Sequence, residues 1–119
     1  MPRTTVEESV VVADLATTLP VTGSATTSRV VIANDIVRVV AFAFDTGEEL
    51  TEHTSTMPVV VQVLRGALRF GVAGAEHDLA AGDVVYLAPN EVHALRATEP
   101  SLVSLVMVRA SVPEAASPS

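Results

Sequence analysis

Short apolar runs, four to eight residues long and rich in valine, recur along this chain with Gly, Pro, Asn and Asp between them. Nowhere does i, i+3, i+4 spacing persist over a helix length, so the pattern predicts strands. Val6–Ala13 is the first strand expected, and Leu19-Pro20-Val21-Thr22-Gly23-Ser24 breaks the pattern before Ser28–Ala33 resumes it. Asn34-Asp35 marks a turn into Ile36–Phe44, where Val37, Val39, Ala41 and Ala43 alternate with Arg38, Val40, Phe42 and Phe44. Both sets are largely apolar, as in a strand covered on each face. Leu50–Ser55, Val59–Leu64, Ala67–Val72, Glu76–Leu79, Val84–Leu87, Val92–Ala97 and Leu102–Val108 complete the set, with Ala73-Gly74 as a hairpin turn. Strands at this regular spacing predict an all-β sandwich or barrel.

A chain of 119 residues fits one domain with one core. Its 49% hydrophobic content includes only three Phe and one Tyr, so that core is expected to consist of many small β-branched contacts. Residues 1–27 read as an N-terminal strand and linker available to a dimer interface, 28–109 as the barrel, and 110–119, rich in Pro, Ser and Ala, as a disordered tail. Seven Arg, no Lys and fourteen acids give a net charge of −7, which opposes binding to phosphate backbones and anionic membranes. Nucleic acid and membrane are therefore not expected as partners. There is no Cys, so disulfide and thiolate chemistry are excluded. The N-terminus carries Glu7 and Glu8 ahead of a short valine run, unlike a signal peptide, and no apolar stretch nears the roughly 20 residues of a membrane span. The expectation is a soluble, cytoplasmic protein.

Two histidines stand within this strand rhythm. Gly47-x5-His53-x-Ser55, followed by Val59 and Gly66, and then Gly82-Asp83-x5-Pro89-x3-His93, resemble the two motifs of the cupins. The resemblance covers about Val30 to Val108, and the 15 residues between Gly66 and Gly82 suit a small single-domain member. It implies a double-stranded β-helix, a jelly-roll barrel of two antiparallel sheets. Gly66 and Gly82 end apolar runs where positive φ is expected, and Asp83 follows with a carboxylate able to accept from turn amides.

In the cupin pattern the first motif supplies two His and a Glu and the second a third His, so the resemblance makes His53 and His93 candidate metal ligands. Ser55 stands where the second His would be, Val59 where the Glu would be, and Ala97 where an Asn often follows. The metal motif is degenerate. No replacement is evident. Glu49 shares the strand parity of His53 but lies about 13 Å away along extended chain, Glu52 points to the other face, and His77 follows a hairpin turn at the rim. The cofactor expected is at most a weakly held divalent metal, Zn, Ni, Mn, Fe or Cu, at low occupancy.

By parity, if His53 faces inward then so do Thr51 and Ser55. If His93 does, so do Glu91 at the mouth, Leu95 and Ala97, with Val59, Val61 and Val63 on the facing wall. The expected pocket is an apolar cup with a few convergent polar atoms, the usual form of a small-molecule site. Arg38, on an apolar strand, is the arginine that stands out. Three functions remain open. One is a small-molecule-binding barrel with a two-histidine site; another is a metal-dependent enzyme of dioxygenase, isomerase or decarboxylase type. The third is a structural module forming a homodimer through Val6–Ala13.

Overall fold

Half-buried valine strands have no stability singly, and two sheets must close on one another to cover their apolar faces. The computed structural model, which describes residues 3–109, does this with strands β1 (Thr26–Ala33), β2 (Val37–Phe44), β3 (Glu49–His53), β4 (Val59–Arg65), β5 (Ala67–Val72), β6 (Ala75–Ala80), β7 (Val84–Leu87), β8 (His93–Ala97) and β9 (Ser101–Val108). The strand pairings are antiparallel. One sheet has the order β1-β2-β9-β4-β7 and the other β3-β8-β5-β6. This is the expected jelly roll, with strand ends within two residues of those read from the apolar pattern.

The core lies between the sheets. Phe44, Val59, Val61, Val63, Val103 and Leu105 from the larger sheet pack against Leu68, Phe70, Leu95 and Ala97 from the smaller one. Burying such side chains contributes roughly 1.5–3 kcal/mol each before entropy is set against it. Phe42 and Phe44 fall on this inner face while Ala41 and Ala43 fall on the outer one, as the alternation predicts.

The N-terminal segment departs from expectation. Val6–Ala13 is not a strand; it runs irregularly into a single helical turn, α1 (Leu15–Thr18). Valine content favours a strand only where a partner edge is available. Here Val12, Leu15, Leu19 and Val21 instead lie across the outer face of the large sheet, over Val31, Ala41, Ala43 and Leu102. Val11 is 92% exposed beside the half-buried Val12, so the valine run expected to be a strand is a chain lying on a surface. Residues 110–119, expected as a disordered tail, lie outside the described residues.

Turn chemistry places the mouth of the barrel. Asn34 Oδ1 accepts from the Ile36 and Val37 amides at 2.9 and 3.0 Å, turning the chain into β2 so that Arg38 starts its inner face. Asp83 accepts from the Ala80 amide at 2.8 Å. Gly66 has φ +90°, and a Cβ there would collide with the Pro100 carbonyl and with Ser101, so this glycine is required by both conformation and space.

Candidate functional site

His53 closes β3 and His93 opens β8, and the two are direct cross-strand partners. A bulge brings them level. Leu50 pairs with Leu95 and His53 with His93, leaving Thr51 and Glu52 opposite Ala94 alone. The extra residue inverts the parity of everything before it. Leu50 therefore faces inward with His53, and Thr51 and Glu49 border a cleft of about 300 Å³ on the outer face together with Arg69 and Arg96. The inward orientation expected for Thr51 is thus corrected, because strict alternation holds only while each residue has one partner.

The imidazoles are held from behind. His53 Nδ1 lies 3.0 Å from the Thr51 carbonyl, and His93 Nδ1 lies 3.0 Å from the Glu91 carbonyl. A carbonyl only accepts, so both Nδ1 atoms carry hydrogen. Neutral rings then have only lone pairs at Nε2, yet the two Nε2 atoms stand 3.1 Å apart. Three contacts call for three protons where two neutral rings have two. A third proton shared between the rings relieves the clash, and so does an electrophilic partner at the gap.

The rings themselves differ. His93 is 4% exposed and lies parallel to Phe70 at 6.2 Å between centroids. Burial holds its pKa below the ordinary 6.5, His53 adds to the depression, and the Glu91 carbonyl and carboxylate partly oppose it. The depression favours the neutral ring, whose Nε2 lone pair faces His53 Nε2. His53 is exposed, and its ring meets His93 edge-on at 4.2 Å.

Both imidazoles border a cavity of about 380 Å³ at the barrel mouth. The small-sheet side supplies Leu50, His53, Thr54, Ser55 and His93; the large-sheet side supplies Ser28, Val30, Arg38, Val40, Phe42, Val59, Leu105 and Met107. Ser55 Oγ accepts from the Met57 amide at 3.1 Å, which leaves its hydrogen to donate. Of the residues expected to line the site, Ser55 and Val59 do so. Val61, Val63 and Leu95 lie on the inner faces but deeper, packed in the core. Glu91 is half-buried and borders a neighbouring cleft of about 400 Å³ with Glu52 and Glu76, which His93 also lines. His77 is exposed on β6.

The large-sheet wall was the part least foreseen. Leu105 and Met107 reach the cavity because β9 lies between β2 and β4, an order that the chain sequence does not announce. Arg38 carried a signal, a charge at an inward position of an apolar strand, but its neighbours were not readable.

A metal ion can be tested against these donors. Two imidazole ligands of one ion, at roughly 2.0–2.1 Å each, stand about 3 Å apart when adjacent, and backbone carbonyls behind Nδ1 are the usual device for aiming Nε2. The pair fits two coordination positions. Among the described residues no group of three or more His, Cys, Asp or Glu can hold a metal ion. Further positions would fall to water or a ligand, and an ion so held would supply Lewis acidity.

The fold recurs in solved structures. A conserved protein of unknown function from Streptococcus pyogenes is 23% identical, with a TM-score of 0.79 over 94% of this chain and 98% of that one. A cupin superfamily protein from Desulfitobacterium hafniense is 19% identical, with a TM-score of 0.75 over 79% and 86%. A cupin 2 conserved barrel domain protein from Leptotrichia buccalis is 25% identical, with a TM-score of 0.74 over 79% of this chain and 46% of that one. No curated protein matches the chain. The family model described as "Cupin domain" matches residues 40–109, which spans both histidine segments and the strands that aim them. With that match and the jelly-roll topology together, the chain belongs to the cupin domain family.

Proposed function

We propose that the barrel binds a small organic molecule, with His53 and His93 holding one of its polar groups either directly or through a weakly bound divalent metal. The observation that supports this best is the facing pair of Nε2 atoms, 3.1 Å apart at the edge of an apolar cavity, each ring locked by a carbonyl behind it. Such a pair needs an electrophilic or hydrogen-bonding partner, and the apolar lining gives a carbon skeleton somewhere to lie. Two imidazoles hold a divalent ion weakly, so metal occupancy rises when a ligand completes the coordination.

The test is calorimetric titration of wild type, His53→Ala and His93→Ala with Zn²⁺. Wild type is expected to bind about one equivalent weakly, and each variant to lose that binding while remaining folded by circular dichroism. Unchanged Zn²⁺ affinity in both variants, with no cavity resonance perturbed by any small molecule screened by NMR, would overturn the reading. A tightly held stoichiometric metal with turnover of a bound ligand would favour an enzyme over a binding protein.

A further inference from the structure

At the barrel mouth the two outermost rows of the large sheet's inner face are apolar except at Arg38. At the mouth the row reads Ala33, Arg38, Met107, Val59 and Leu87 across β1, β2, β9, β4 and β7. The next row inward reads Val30, Val40, Leu105, Val61 and Val85. Arg38 is the one cation in these two rows. It is half-buried and borders the cavity opposite the histidines. Among the described residues it has no carboxylate within ion-pair distance, although the chain carries fourteen acids. Arg3 and Arg69 do have such partners, and Arg29, Arg65, Arg96 and Arg109 are exposed to solvent, where a lone guanidinium is well hydrated.

A guanidinium turned into an apolar cup has lost part of its hydration without gaining an anion. Nothing about β2 requires it there, since Val40, Phe42 and Phe44 hold the inner positions that follow. The geometry points to a small organic carboxylate as the ligand, its carboxylate on Arg38 and a second oxygen at the His53/His93 edge. Arg presents a planar fork that matches a carboxylate in two parallel hydrogen bonds. The hydrocarbon part lies against Phe42, Leu50 and Met107, and Ser55 can donate to an oxygen. A volume of about 380 Å³ suits a small ligand. The protein's net charge of −7 repels anions at long range, so the local cation confers selectivity that the surface does not. This inference rests on the reading of the barrel as a ligand site and names the class of ligand.

The probes are 4-methyl-2-oxopentanoate, which has a carboxylate, a second oxygen and a branched apolar body, and its uncharged methyl ester. Binding is followed by NMR shifts of the Met107 methyl and the Leu50 and Val59 signals, in wild type, Arg38→Gln, Arg38→Lys and His93→Asn. The acid is expected to bind wild type about ten- to a hundredfold more tightly than the ester, the range for losing hydrogen bonds to a charged group. Arg38→Gln is expected to abolish that preference and Arg38→Lys to restore part of it, with dispersed spectra showing both folded. His93→Asn is expected to weaken acid and ester alike. Equal binding of acid and ester in wild type, with His93→Asn still weakening both, would overturn the carboxylate assignment and leave the ligand site standing. Absence of any shift with either probe at millimolar concentration would overturn both.

Discussion

The two walls of the barrel mouth are prepared to different degrees. On the small-sheet wall each imidazole is oriented before any ligand arrives, by a carbonyl behind it and, for His93, by the parallel ring of Phe70. On the large-sheet wall Arg38 extends from an apolar row with no carboxylate among the described residues within ion-pair distance. One wall is rigid and short of an electrophile; the other is adaptable and short of a counter-charge. A ligand that supplies both needs little reorganisation on the first wall and orders a long side chain on the second.

The comparison breaks first at the support of the rigid wall. Phe70 is fully buried, whereas Phe42 on the opposite wall is only half-buried. Phe70→Ala is expected to lower unfolding free energy by about 3–5 kcal/mol and to loosen His93, with Phe42→Ala costing clearly less. Urea denaturation of both variants measures this; equal losses would show that the two walls are equally tied to the core.

A second change gives the rigid wall what it lacks. Ser55 borders the cavity beside the imidazole pair, so Ser55→His adds a third imidazole. Zn²⁺ affinity is expected to rise about tenfold or more, as befits three protein ligands in place of two. Chelator competition reads this directly, and an unchanged affinity would place residue 55 out of reach of the pair.

A smaller effect follows from protonation. The folded-state pKa of His93 lies below 6.5 because the ring is buried. Once pH falls below about 6.5 the unfolded chain takes up this proton more readily than the folded one. Stability is thus fully present above that value and declines as pH falls through the folded pKa. Urea midpoints between pH 7.5 and 5 are expected to show this decline, reduced in His93→Gln. Asp45, whose carboxylate is stabilised by the Ser24 and Thr46 amides, is depressed from 3.8, so its contribution is lost only in more acidic solution and does not overlap.

The smallest effect is expected at Thr51. The bulge turns it to the outer face, so Thr51→Ala is expected to change neither ligand affinity nor stability beyond about 0.5 kcal/mol. A clear loss of binding would show that β3 adopts the unbulged register in solution.

Particular residues show how far the sequence could be read. The turns at Asn34 and Asp83 formed as their side chains dictate, since an Asx carboxamide or carboxylate captures amides within a few residues. The strands from β1 to β9 lie within two residues of the runs read from the chain, since β-branched and aromatic side chains favour extended backbone. Val6–Ala13 misled because the same valine content serves a strand or a chain draped on a sheet. Thr51 misled because one inserted residue leaves composition and local pattern unchanged while inverting a face.

What the sequence alone determined was local: strand rhythm, turn positions, the two histidines at cupin spacing and the missing ligands at Ser55 and Val59. These depend on backbone preference and on side-chain types, which travel with the residue. The tertiary structure decided which residues meet. It placed β9 between β2 and β4, slipped β3 by one residue against β8, and set Arg38 across the cavity from His53 and His93. Such choices are made by packing between segments far apart in the chain, where many pairings satisfy the same local pattern and only the buried whole selects one.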